Sequence, residues 1–253
     1  MNALLIVALV TAVAAAARGM WSPCGLSMLS SLNPVSERTR GNRFWVTVGW
    51  YVAGASAGGA ALGAGCAVAA AGYARMHLSS TWTWSLALAG AVVAVLSDSA
   101  LTPRSLPIHP RQVDERWLAR YRRWIYAGGY GVQIGSGFAT YIMTAAVYLS
   151  ALLVVLTARP GTAFAIGLAF GVMRGLGILV TAGVRTPDQL RRLIGGIDAR
   201  DRLSLQVACA VAAGLGVVAA WFAAGPVLAV IVAVPLAGLT VGRRRARRAT
   251  VTV

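Results

Sequence analysis

The sequence predicts an all-α polytopic membrane protein: about seven transmembrane helices, arranged as two inverted three-helix repeats plus a C-terminal span. Composition is the first reason. Hydrophobic residues make up 58% of 253 residues, charged residues 12%, and mean hydropathy is +0.70; soluble domains run at about 45–50% apolar and about 25% charged. The second reason is that the apolar residues fall into seven consecutive stretches. The third is the placement of charge. A formal +16 arises from 23 arginines against 7 acidic residues, with no lysine. Taken alone, a pI near 11.5 suggests nucleic acid, but the arginines cluster on alternate loops instead.

The stretches are 4–32, 44–72, 82–96, 124–156, 162–184, 203–222 and 226–241. Most exceed the roughly 20 residues that a helix needs to cross hydrocarbon. Two are short, and Gly225-Pro226 marks either a kink or a turn before the last. Loops 33–43, 97–123 and 185–202, with the tail after 241, hold 19 arginines; the opposite loops hold only Arg75 and Arg159. By the positive-inside rule this places a multi-pass protein in the plasma membrane, with the N-terminus outside and the C-terminus cytoplasmic. The chain reads as one transmembrane domain, 1–242: repeat one about 1–101, repeat two about 111–222, and the extra span. A basic tail, 243–253, follows it, and its Arg243–Arg248 run fits a stop-transfer anchor attracted to anionic lipid headgroups. The first residues carry no basic side chain, so Ala3–Ala17 reads as half of span one rather than a signal peptide. The expected partners are the bilayer and its anionic headgroups at the Arg-rich face, not nucleic acid.

Spans one and four differ from the others. Span one has 29 residues, about 43 Å of continuous helix, yet its middle reads Arg18-Gly19-Met20-Trp21-Ser22-Pro23-Cys24-Gly25. Pro23 removes a ladder hydrogen bond and clashes with the preceding turn, so a break is expected within the membrane. Span four has 33 residues, with five glycines between Gly128 and Gly137. Interrupted helices at matching positions of two inverted halves point to a midplane site in transporters. Each break is followed by a polar stripe: Cys24, Ser27, Ser31 in one, and Gln133, Ser136, Thr140, Thr144 in the other. These stripes are expected either to face a wet cavity or to bond between helices. Gly54-xxx-Gly58, Gly59-xxx-Gly63, Gly131-xxx-Gly135 and Gly167-xxx-Gly171-xxx-Gly175 predict close helix packing.

Arg174 is the most informative residue. It lies mid-span, where arginine costs about 2.5–3.5 kcal/mol even on the insertion scale, and no span interior holds a carboxylate. Its partner is then a freed carbonyl, Gln133, water or a bound anion. Arg18 is either a second such charge or snorkels to an interface. Of the cysteines, Cys66 and Cys209 sit in Ala/Gly-rich interiors, whereas Cys24 follows Pro23 at a helix start, where a thiolate is stabilised. No residue set has metal-ligand spacing, His77 and His109 read as loop residues, and no cofactor is expected.

The segment Ser22-Pro23-Cys24-Gly25-Leu26-Ser27-Met28-Leu29 resembles the Ser-Pro-Cys segment in the first membrane helix of CcdA/DsbD-type thiol-disulfide relays, within the LysE-like transporter superfamily. The resemblance implies inverted three-helix halves and redox transfer of the cytochrome c biogenesis type. It makes Cys24 the exchanging thiol and a thioredoxin-like or membrane protein the partner. The second half reads Gly131-Val132-Gln133-Ile134-Gly135-Ser136-Gly137 where the family carries another Pro-Cys. The expected site therefore combines Cys24 with Arg174, Gln133, Ser136, Thr140, Ser22, Ser27, Pro23 and Arg18. Its function is either thiol exchange across the membrane, as a membrane thiol-disulfide oxidoreductase, or transport of a small anionic or zwitterionic solute. A third possibility is an assembly subunit. In the connectors, Arg111–Arg123 reads as an interfacial helix. Thr186-Pro187-Asp188-Gln189 reads as a capped helix start, in a helix expected to end at Gly195-Gly196.

Overall fold

The computed structural model describes residues 2–98, 114, 116–138 and 144–233. Thr140, His109 and the tail 243–253 lie outside them, as do 101–113 and the second half of the seventh stretch, 234–241. All the elements are helical: α1 (Asn2–Arg18), α2 (Pro23–Ser31), α3 (Pro34–Thr39), α4 (Phe44–Arg75), α5 (Ser80–Asp98), α6 (Trp117–Arg120), α7 (Arg123–Ser136), α8 (Ala146–Leu156), α9 (Pro160–Leu176), α10 (Pro187–Asp198) and α11 (Asp201–Ala224). Residues 226–233 are helical as well.

Among the described residues five helices are long and apolar enough to cross a membrane: Ala3–Trp21, Phe44–Arg75, Ser80–Asp98, Pro160–Thr181 and Asp201–Ala224. Expected span four differs because it is not one helix. It is delivered as α7 and α8, of 14 and 11 residues, about 21 and 16 Å long. The first segment stops where Gly137 turns left-handed at φ 72°, a conformation that glycine adopts without steric cost. Span one is divided too. A short 3-10 turn, Gly19–Trp21, separates α1 from α2, and Ser22 caps α2 by accepting from the Gly25 amide at 3.0 Å.

The centre of the molecule is α4, held between α7 and α9. The small-residue rows make this possible. A Cβ on Gly54 would stand 2.1 Å from the Gly128 carbonyl oxygen on α7, and one on Gly59 would stand 2.6 Å from Gly171 Cα on α9. At such approaches backbone packs on backbone, and dispersion and Cα–H contacts replace side-chain interdigitation. A second layer forms from α5 against α11, with Trp84 stacked on Phe222 at 4.7 Å, while α1 runs along α8, α9 and α11. The exposed apolar side chains Ile6, Leu9, Val10, Trp50, Val68, Val207 and Trp221 lie on the outer faces, where hydrocarbon rather than water is their natural solvent.

Two connector expectations change. Helix α10 starts as expected, with a full capping box between Thr186 and Gln189, but it runs through Gly195-Gly196 to Asp198. Only Trp117–Arg120 of the expected interfacial helix is described as helical. Its Trp117 stacks on Tyr130 of α7 at 5.8 Å, where Gly129 leaves it room, so this segment docks onto the helix that follows it.

Candidate functional site

The break in span one and the end of α9 meet. Arg174 closes the last turn of α9 and is 7% exposed. Its guanidinium lies directly against the Gly19 backbone, since a Cβ there would be 2.6 Å from Cζ. Glycine is needed at this position for space rather than for backbone freedom. One turn back along α9, the Phe170 ring centroid stands 5.7 Å from Cζ, within cation–π range. Tyr51 of α4 and Cys24 of α2 are near enough to interact with the guanidinium electrostatically. Among the described residues Arg174 has no carboxylate at ion-pair distance and no hydrogen-bond acceptor.

The guanidinium faces a cavity of about 20 Å³ lined by Gly19, Met20, Gly25, Met28, Tyr51, Ile134, Ile178 and neighbours, room for one water-sized group. A buried cation beside a small, largely apolar cavity has been desolvated, and among the described residues no protein anion repays it. The arrangement favours whatever negative group enters, and it disfavours a cation.

The expected site residues separate around this point. Ser22 and Pro23 build the break: the Ser22 hydroxyl donates to the Gly19 carbonyl at 2.7 Å, and Pro23 opens α2. Cys24, 1% exposed, packs with Tyr51, Tyr126, Tyr130 and Ile178, whereas Cys66 belongs to another apolar cluster with Ala70, Trp84 and Leu153. No disulfide joins the three cysteines. Ser27 is half-buried on α2. Ile134, not Gln133, reaches the Arg174 cavity; Gln133 stays half-buried, and the Ser136 hydroxyl donates within its own helix to the Gln133 carbonyl at 2.8 Å. Thr144 likewise turns elsewhere, donating to Asp98.

Arg18 faces away from the Arg174 cavity. It is 3% exposed, pairs with Asp201 at 2.5 Å and donates to Ser204 at 2.5 Å, both on α11. It lines a separate apolar groove of about 270 Å³ with Ala14, Trp21, Leu203 and Val207. Neither snorkelling nor a vacant charge describes it; it is a compensated ion pair.

Three polar features are not singled out by the sequence pattern. Glu37, in an Arg-rich connector, is completely buried. It accepts from Thr47 at 2.5 Å, Arg40 at 3.0 Å and the Tyr126 hydroxyl at 3.1 Å. Asp98 caps α8, accepting from the Ala145 amide at 2.8 Å, where a carboxylate also meets the positive end of the helix. Tyr51 shares the Arg174 cavity from the midst of a glycine-rich row. A signal existed only for Asp98, which follows an apolar stretch by two residues, and it names no partner.

No family model matches the chain and no solved structure matches it. Curated proteins do. The chain is 30% identical over 200 residues to methylamine utilization protein MauF of Paracoccus versutus, covering 75% of this chain and 70% of that protein. It is 32% identical over 175 residues to MauF of Paracoccus denitrificans, covering 68% and 62%. For MauF of Methylorubrum extorquens (strain AM1) the identity is 29% over 162 residues, covering 63% and 56%. These relatives carry the MauF name rather than that of the CcdA/DsbD family, so the resemblance of the Ser-Pro-Cys segment stays a local one. On identity and coverage of the Paracoccus versutus protein, this chain belongs to the family of the methylamine utilization protein MauF.

Proposed function

We propose that the chain is a membrane carrier that serves methylamine utilization and takes a small anionic or zwitterionic solute at Arg174. The observation that carries this is a guanidinium buried at the meeting of a helix break and a cavity, with no anion among the described residues at ion-pair distance to neutralise it. The two interrupted helices at the first and fourth spans support it, since half-helix ends at mid-membrane are where such carriers bind charge. So does the packing of α1 on α8, α4 on α9 and α5 on α11, which pairs each expected first-half span with a second-half one, as an inverted repeat does. The 19-to-2 arginine asymmetry supports a plasma-membrane protein with its C-terminus inside and anionic headgroups against that face. The sign of the charge has a consequence. Methylamine is a cation at neutral pH, and a bare guanidinium repels it, so the solute is a companion of methylamine metabolism and not methylamine itself.

A second reading, thiol exchange, is favoured by one observation: Cys24 lies at the start of α2 within the field of Arg174. The Cys24 thiolate would attack the disulfide of a thioredoxin-like partner, forming a mixed disulfide and releasing one partner thiolate. A second protein carrying a dithiol would then attack Cys24 Sγ, releasing the first partner fully reduced, and would close its own disulfide to free the Cys24 thiolate, because no second cysteine of this chain shares the cluster. Growth of a deletion strain on methylamine separates the readings. Under the carrier reading Cys24→Ser restores growth and Arg174→Gln does not. Loss of growth with Cys24→Ser, and normal growth with Arg174→Gln, would establish thiol exchange and reject the carrier.

A further inference from the structure

We propose that Glu37 and Tyr126 form a latch that keeps the Arg174 site closed toward the Arg-rich face; the inference rests on the carrier reading above. By the charge placement, the second segment of span one ends on this face and the first segment of span four begins on it. Asn33 joins α2 rigidly to α3, its carboxamide oxygen accepting from the Val35 and Ser36 amides at 3.0 and 2.9 Å. Glu37 on α3 then receives the Tyr126 hydroxyl of α7 at 3.1 Å, across 89 residues of sequence. Thr47 of α4 donates to Oε2 at 2.5 Å, Arg40 donates to Oε1 at 3.0 Å, and Asn42 donates to the Tyr126 hydroxyl at 3.0 Å.

A buried carboxylate is tolerated only when its oxygens are satisfied, so parting α7 from α3 exposes a defect on both sides. Tyr126 also belongs to one apolar cluster with Leu32, Phe44, Tyr130 and Cys24, and that cluster includes Met28, Tyr51, Ile134 and Ile178 of the Arg174 cavity. Opening the site to this face means moving α2 and α3 away from α7 and dissolving that plug. The polar bridge sets how often this happens, and Cys24, buried in the same cluster, is a native reporter.

The test uses the purified full-length chain in detergent, with Cys66→Ala and Cys209→Ala, and a membrane-impermeant maleimide. Tyr126→Phe keeps the ring in the cluster and removes the bridge. It should raise the labelling rate of Cys24 about tenfold, the population shift that follows loss of one hydrogen bond to a charged group. Glu37→Gln should act in the same direction. A companion chain retaining only Cys66 controls for loosening, and its labelling should not change. An unchanged Cys24 rate, or an equal rise at Cys66, would overturn the latch. Adding Arg174→Gln keeps the outcomes apart: the gain from Tyr126→Phe should persist even if growth shows that the solute reading has failed.

Discussion

Gly19→Ala is the most discriminating single substitution because of what its methyl group would touch. An alanine Cβ there stands 2.6 Å from Arg174 Cζ, 2.7 Å from Nη2 and 2.9 Å from Nε. Reaching an ordinary contact of 3.4 Å requires a retreat of about 0.8 Å, and the yielding group is the far end of a flexible side chain. The fold should survive, because the three atoms nearest the new methyl all belong to that side chain and none to the backbone. Function should not, because displacing a positioned group by about 1 Å costs on the order of 100-fold. Two other glycines calibrate the result. A Cβ on Gly25 meets the backbone oxygens of Gly19 and Met20 at 2.6 and 2.7 Å; Gly25→Ala should therefore cost about 1–3 kcal/mol by overpacking. Gly65 has nothing within 4 Å, and Gly65→Ala should be neutral. Thermal unfolding in detergent, paired with growth of the complemented deletion strain on methylamine, reads both quantities. Gly19→Ala that grows like wild type, or that unfolds like Gly25→Ala, would refute the placement of the guanidinium on Gly19.

Other expectations follow from the packing and the ion pairs. Gly131→Ala and Gly135→Ala each set a Cβ 2.1 Å from an α4 carbonyl oxygen; either should lower the midpoint of thermal unfolding well below that of Gly65→Ala. Asp201→Asn strands the buried Arg18, whose partner is 38% exposed; the loss should be about 2 kcal/mol, below the 3–5 of a fully buried pair, and Arg18→Met in the same chain should recover most of it. Asp98→Asn weakens the cap of α8 by about 1 kcal/mol, seen as faster amide exchange confined to its first turn.

The features legible in the sequence were the local and periodic ones. Pro23 and the glycines around 128–137 mark the two breaks because proline and left-handed glycine act on their own backbone. The glycine rows mark the α4 contacts because small residues at a spacing of four admit another helix whatever its identity. What escaped depends on distant partners. Arg18 meets Asp201 across 183 residues, and Glu37 disappears into a bond with Tyr126 that no local pattern announces. The polar stripe on α7 illustrates the limit of periodicity: it groups Gln133 with Ser136 but does not say how the helix is rotated. Ile134, one residue on, is the side chain that reaches the cavity. Arg174 stood out because a charge in an apolar span is costly whichever way it points.

The most direct test of the account is anion-dependent stability of the wild-type chain against Arg174→Gln. Sodium acetate supplies a small carboxylate, with sulfate at matched ionic strength as the control for general salt effects. A ligand at 100 times its dissociation constant stabilises by about 2.7 kcal/mol. Acetate should raise the unfolding temperature of the wild type by several degrees relative to sulfate and leave Arg174→Gln unmoved. Equal shifts in the two proteins would contradict an anion site at Arg174.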